Sequence, residues 1–363
     1  MAHYRSLRDL DWPLMIISLT ICGLGVLQVY SATHEIPVWK DVWWRQIVFV
    51  LIGIVLMWAA TVIDYHTLLG QVPILYGGTV ILLLATLLIG QSIFGSRRWI
   101  PLGPFHLQVS EFAKLVIVLL VARYLSELKT DRLDGKDLLK LGGLVALPMI
   151  LVLKQPDRGT SLTYLPILAI GVFLAGMRWK YVAVIVAALA LYVPIDWYFM
   201  PAYQKQRISS FLDPTQDPKG AGYQVIQSKI AVGTGGMWGQ GVTKGTQTQL
   251  RFLPVPHTDF VFSAFAEEHG FVGVVVVLGL YFLLLMQIVQ NGQMASDRAG
   301  MYLCMGIAAL LLFHMLVNIG MVVGRMPVTG IPLPLMSAGG SNTMSMFLML
   351  GLVNNVRLRR FIN

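Results

Sequence analysis

Charge is scarce in this sequence. Of its 363 residues only 12% are Asp, Glu, Lys or Arg, while 56% are hydrophobic; soluble domains carry about a quarter charged residues. A soluble fold of this length has no way to hide so much apolar surface. Cysteine is almost absent: Cys22 and Cys304 both sit inside apolar runs, which excludes a disulfide framework, and neither is assigned a function. There is no G-x-x-x-x-G-K-[ST] loop, and the glycines between 233 and 245 follow no strand signal, so they read as a flexible turn region rather than a dinucleotide cradle. No Cys/His cluster has zinc spacing. No repeat, no low-complexity tract and no sizeable stretch for a cytoplasmic nucleotide domain is present. A reaction carried out by this chain must therefore use a substrate that is already activated and already in the membrane.

What is abundant is apolar sequence in runs of bilayer length, for which about 20 residues suffice. Clear runs lie near 13–31, 44–63, 72–93, 180–199, 270–289 and 301–323; weaker ones lie near 107–126, 138–153, 161–177 and 341–356. They predict an all-α polytopic integral membrane protein of about ten transmembrane helices, with both termini on one side. The first run follows 12 polar residues, is too long for a signal-peptide core and lacks a nearby A-x-A site, so it reads as a retained helix. With the N-terminus cytoplasmic, the inner segments hold Arg5, Arg8, Lys129, Arg132, Lys136, Lys140, Arg178, Lys180, Arg298, Arg357, Arg359 and Arg360. The short outer loops hold Lys40, Arg45, Arg97, Arg98, Lys154, Arg158 and Arg325. Twelve cations against seven favours this orientation. The single long polar segment, 199–258, falls between the seventh and eighth spans and is then extracytoplasmic; its YQVIQSKIAV stretch reads as a short amphipathic helix, so a folded cap is expected.

Ionisable residues at membrane depth need a partner or a cavity. Glu111 and Lys114 are three apart, share a helical face and can pair, either as a structural pair at a helix end or in a polar cavity. Lys154, Asp157 and Arg158 sit at a mouth between two spans, where Pro156 and Gly159 break the helix; Asp157 can also simply cap a turn. In PHTDFVFSAFAEEHG, His257, Thr258 and Asp259 open a helix and Glu267 and Glu268 follow. Asp259 and Glu267 are eight apart, which places them on one face, with Asp259 standing above the membrane plane toward the cap. Three acids opposite the external cations Arg97, Arg98, Lys205 and Arg207 suit an anionic substrate and a divalent cation, magnesium or manganese; dipole complementation is the plainer account of Asp259. His314 and Asn318, four apart in the ninth span, read as interhelical hydrogen bonding.

Taken together, the motifs FLDPTQDPKGAGYQVIQSKIAVGTGG, GTQTQLRFLP, HTDFVF, AEEHG, NIGM and PVTGIPLPLMSAGGS resemble the SEDS family (shape, elongation, division and sporulation), and RRWIPLG, SEFAKL and QPDRGTS fit earlier parts of the same pattern. The order is kept over nearly the whole chain, and GTQTQ and PVTGIP resemble the elongation, RodA-like branch. The resemblance implies one ten-helix membrane domain over 1–363 that polymerises lipid II into β-1,4-linked glycan on the outer face of the bacterial cytoplasmic membrane. It implies Asp259 as the essential acid, Glu111 and Lys114 as its supporting pair, and a class B penicillin-binding protein as partner. Pro256, Arg158, Arg325 and Ala338 depart from the usual pattern; Ala338 stands where a tyrosine is common. A lipid II flippase and a non-catalytic scaffold of the elongation machinery are the competing functions. A flippase needs polar groups spread to the inner leaflet, whereas here the unpaired acids crowd the outer side.

Overall fold

In a computed structural model of the chain, residues 9–93, 96–102, 105–128, 133–200, 202–213 and 220–360 are described. Arg5, Arg8, Lys129 and Arg132, and the 214–219 part of the FLDPTQDPKGAGY stretch, lie outside the described residues. The elements run α1 (Trp12–Thr33), α2 (Val42–Val62), α3 (Tyr65–Gly70), α4 (Val72–Ile89), strands β1 (Gln91–Ile93), β2 (Ser96–Leu102) and β3 (Phe105–Leu107), then α5 (Val109–Ser126), α6 (Gly135–Leu153), α7 (Arg158–Leu162), α8 (Tyr164–Leu174), α9 (Trp179–Phe199), α10 (Ala202–Leu212), α11 (Ala221–Thr234), α12 (Thr246–Gln249), α13 (Val261–Gln293), α14 (Arg298–Val322) and α15 (Gly340–Leu358).

Helical segments stand at all ten expected spans, and α1, α2, α4, α13 and α14 are long and apolar enough to cross a membrane by length and composition alone. Their lipid-facing sides carry exposed Ile74, Leu88, Phe271, Val275, Phe282 and Leu316. Between helices, small residues allow close approach. A side chain at Gly351 of α15 would collide with the Met57 carbonyl of α2, and one at Gly171 of α8 would meet Val121 of α5 at 2.6 Å. The expected amphipathic helix is α11, whose Ser228 hydroxyl donates to the Val322 carbonyl at 2.7 Å and bonds Ser263 at 2.8 Å.

Three features differ from the sequence reading. The third span ends at Ile89, and the following residues form a small antiparallel sheet in the order β1-β2-β3. The sixth span is interrupted at Thr163, between α7 and α8. Most consequential, α13 breaks at Gly270, whose φ of 65° and ψ of −167° are outside helical space and accessible only to glycine without strain. The ladder groups freed there are taken by the glycine-rich stretch. Gln240 and Gly241 donate to the Glu267 and Glu268 carbonyls at 3.0 Å, while Phe271 and Val272 donate to Gly236 and Met237 at 2.9 and 3.1 Å. Residues 236–241 are thus a strut inserted in a helix break, not a free turn; irregular backbone at such depth persists because protein partners replace water.

At the end holding both termini, charges pair tightly. Asp11 caps α1 and meets Arg357 at 3.0 Å; Asp64 meets Arg359 at 2.7 Å; His66 meets Asp297 at 2.8 Å. A cavity of about 500 Å³ lined by His66, Arg123, Glu127 and Asp297 lies at this end, away from the acids discussed next.

Candidate active site

At the other end, Asp259 lies in the short loop that precedes α13. Its backbone is fixed from two sides. Asn318 of α14 donates to the Asp259 carbonyl at 3.0 Å and to the Ile331 carbonyl at 2.8 Å. Ser337 donates to the Thr258 carbonyl at 2.7 Å, and the Ala338 amide donates to the His257 carbonyl at 2.9 Å. The HTDF loop and the PVTGIPLPLMSAGG loop are therefore stitched together. Gly330, at φ 73°, presents a bare backbone to Asp259; a Cβ there would sit 3.5 Å from the carboxylate.

The Asp259 side chain keeps part of its surface open. Desolvation raises its carboxyl pKa above the ordinary value; Arg98, Arg207 and the Thr258 hydrogen bond oppose that, and Asp157 adds to it. Arg98 comes from β2, where alternation leaves Arg97 exposed and turns Arg98 inward, to 3.4 Å from Asp157. Asp157 is buried, accepts from Gln108 at 3.0 Å and Thr160 at 2.9 Å, and caps α7, as its plainer reading expected. Arg207 of α10 donates to the Val328 carbonyl at 3.2 Å, beside the same loop. His257 packs against Trp39 with the rings tilted by 56° and their centroids 4.6 Å apart. Burial pulls its pKa down to about 4, so it is neutral at pH 7.

Among the described residues, four buried polar atoms without a hydrogen-bond partner lie around this loop pair, Arg98 Nε, His257 Nδ1, Asn318 Oδ1 and Thr329 Oγ1; others, such as Asn354 Nδ2 and Arg357 Nε, lie at the opposite end. Native interiors leave few such atoms.

Glu111 and Lys114 pair at 2.7 Å, buried at 3% and 0% exposure. Asn342 donates to Glu111 at 2.8 Å, and Lys114 reaches His314 at 3.3 Å. Several expected site residues lie elsewhere. Glu267 does not share a face with Asp259, because α13 begins only at Val261; its carboxylate accepts from the Gln247 amide at 2.6 Å and the Thr248 amide at 3.1 Å, capping α12. Glu268 turns toward α1, accepting from Ser31 and Gln28. Three acids therefore do not converge; one does, with Asp157 behind it. Lys154 is exposed, and Lys205 donates to the Tyr198 carbonyl at 3.3 Å. The orphaned Thr329 and the clamping by Asn318 and His314 were not assigned from sequence; HTDF and PVTGIP are some 70 residues apart, and only folding joins them.

A helical membrane bundle with one partly open, raised acid influenced by two arginines at one end has the features of an integral membrane enzyme. The chain belongs to the FtsW/RodA/SpoVE family of cell cycle proteins, whose pattern matches residues 12–360. It is 38% identical over 353 residues to the peptidoglycan glycosyltransferase MrdB of Escherichia coli K12, covering 97% of this chain and 94% of that one. It is 32% identical to the peptidoglycan glycosyltransferase RodA of Treponema pallidum, covering 98% and 99%. Among solved structures, one describing polymerization and crosslinking by a peptidoglycan synthase complex superposes with a TM-score of 0.83 at 34% identity, covering 98% and 99%. The rod shape determining protein RodA of Thermus thermophilus superposes with a TM-score of 0.73 at 31% identity, covering 98% of each chain.

Proposed function

We propose that the chain is a peptidoglycan glycosyltransferase that polymerises lipid II by a single inverting displacement, with Asp259 as general base. The observation that carries this is the raised, partly open Asp259 carboxyl facing Arg98 and Arg207 among orphaned polar atoms. The leaving group is a lipid diphosphate linked α to the donor sugar, whose anomeric carbon forms the new β-1,4 bond as that link breaks, so one inversion suffices. The 4-hydroxyl of the acceptor sugar is a weak nucleophile; a carboxylate within hydrogen-bond reach takes its proton as the bond forms. Charge then builds on the departing diphosphate, which Arg98 and Arg207 stabilise electrostatically. Asn318 is fully buried and acts by holding the Asp259 backbone in place.

Among the described residues no cluster of three or more His, Cys, Asp or Glu side chains forms a metal cage. Asp259 together with substrate phosphates is the arrangement by which such sites hold magnesium, and a bound cation would supply Lewis-acid stabilisation of the leaving group.

The reading places the Asp259 end, including 199–258, on the outer face of the cytoplasmic membrane and both termini in the cytoplasm, following the distribution of Lys and Arg. The chain acts as one domain, in cell elongation, with a class B penicillin-binding transpeptidase; the resemblance of GTQTQ and PVTGIP and the elongation-type relatives support this.

Asp259→Asn tests the reading: it keeps the shape and removes the base, which typically supplies about 10²–10⁴-fold. The purified variant should fold and insert yet make almost no glycan from purified lipid II. Near wild-type polymerisation would remove Asp259 from the chemistry and reopen the flippase reading.

A further inference from the structure

His314 stands between two groups whose hydrogen-bonding roles are fixed. On one side is the Lys114 ammonium, 3.3 Å from Nε2; an ammonium only donates. On the other is the Pro332 carbonyl, 3.1 Å from Nδ1; a carbonyl only accepts. Both contacts hold together only if the imidazole is neutral, with its proton on Nδ1 and its lone pair on Nε2. A protonated ring would set an N–H against the ammonium, and the other tautomer would break both bonds.

This fixed polarity joins the Glu111–Lys114 pair of α5 to the 329–332 loop. Asn342 holds Glu111, Glu111 holds Lys114, Lys114 holds His314, and His314 holds Pro332. Pro332 lies two residues after Gly330, which rests against the Asp259 carboxylate, and one after Ile331, which Asn318 holds from the next turn of α14. Thr329, on the same loop, fits against Gly159, leaving only 2.7 Å between its carbonyl and a Cβ there. The 329–332 loop is thus the floor under Asp259 and the wall beside Asp157, and His314 is its tether.

We propose that His314 is a positioning residue for the transfer: in its Nδ1–H form it anchors the 329–332 loop to the buried Glu111–Lys114 pair and so holds the surface against which Asp259 works. This explains how a pair embedded in α5 serves a carboxylate it does not touch. The proposal rests on the reading of Asp259 as the base. A displacement of about 1 Å at such a site can cost roughly 10²-fold in rate.

Two substitutions separate the links. His314→Asn places an amide N–H where Nδ1 stands and keeps the tether to Pro332 while losing the lysine contact. His314→Gln places its amide where Nε2 stands, keeping the acceptor for Lys114 and losing the tether. Each forfeits one hydrogen bond, so a merely structural role predicts similar losses of rate and Tm. The tether predicts that His314→Asn polymerises lipid II at least about ten-fold faster than His314→Gln at comparable Tm. Nitrogen-15 NMR of histidine-labelled protein, with the His314 signal identified by its loss in His314→Asn, should report the Nδ1–H tautomer. An Nε2–H tautomer, equal rates for the two variants, or a faster His314→Gln would overturn the proposal. Asp259→Asn assayed alongside keeps the two readings apart. If it polymerises normally while the His314 variants rank as expected, the base assignment fails and the tether stands. If it is inactive while those variants do not differ, the tether fails and the base stands.

Discussion

At the scale of the residue, Asp259 is the outcome of a contest. Burial favours its neutral form, and the two guanidinium groups favour its charged form. Burial prevails, so the carboxyl titrates above the ordinary aspartate value of about 3.9. A general base works deprotonated, so the rate of glycan synthesis should fall as pH drops through this raised pKa. Arg98→Met removes a charge that holds the pKa down, and the acid limb of kcat/KM should move to higher pH; a limb that stays or moves down would contradict the assignment. His257, neutral to about pH 4, should contribute no limb in the range where Asp259 does. The Glu111–Lys114 pair follows a different rule. Removing one member strands the other charge in a buried site, at a cost on the order of 3–5 kcal/mol, whereas removing both costs less. Glu111→Gln and Lys114→Met should each lower Tm and slow polymerisation, and the double variant should recover much of the Tm. Because the double variant still lacks the contact to His314, its rate should not recover with its Tm.

At the scale of the element, the break in α13 organises the site end. Glu267 and Glu268 stand just before the break; one holds α12 and the other α1. Glu267→Gln should therefore lower stability, through loss of a buried charge-assisted acceptor worth about 1.5–3 kcal/mol, and expose 236–249 to amide exchange. Its polymerisation per folded molecule should fall far less than that of Asp259→Asn; an equal loss would return Glu267 to the chemistry. This division was not legible in the sequence. AEEHGFVG reads as helix on both sides of Gly270, and the backbone groups that take over the broken ladder come from residues 236–241, some 30 positions away. The face shared by Asp259 and Glu267 was an inference from helical periodicity applied to a residue that precedes the helix. The sheet of β1 to β3 escaped for a related reason: its strands are short and the sequence around them carries Gly95, Pro101, Gly103 and Pro104, so no alternation is long enough to stand out. The membrane helices were legible because their signal is local. So was the Glu111–Lys114 pair, whose spacing alone puts the two on one face, and so was α11.

At the scale of the whole molecule, the two ends differ in kind. The end with the termini has its acids and bases closed on one another, from Asp11–Arg357 to His66–Asp297. At the other end Asp259 keeps part of its carboxylate surface open instead of closing on a single cation. That difference suits chemistry on one face, and it bears on where a partner would act. The α13 segment starts two residues after Asp259 and breaks at Gly270, and beyond the break it exposes Phe271, Val275, Val276, Phe282 and Leu283. A single-pass helix lying on that face and on Leu312 and Leu316 of α14 would bear on the segment that follows the α13 break. The equally apolar face of α4, with Ile74 and Leu88 exposed, has no such connection. Cysteine crosslinking distinguishes them with little background, because Cys22 and Cys304 are both buried. With a transpeptidase co-expressed and carrying a cysteine in its membrane helix, Val275→Cys, Phe282→Cys and Leu316→Cys should form the crosslinked species, and Ile74→Cys and Leu88→Cys should not. Crosslinking confined to the α4 positions would move the docking face to the other side of the bundle and sever it from the α13 break. Crosslinking at neither set, with the partner present in the same membranes, would count against a membrane-helix contact altogether.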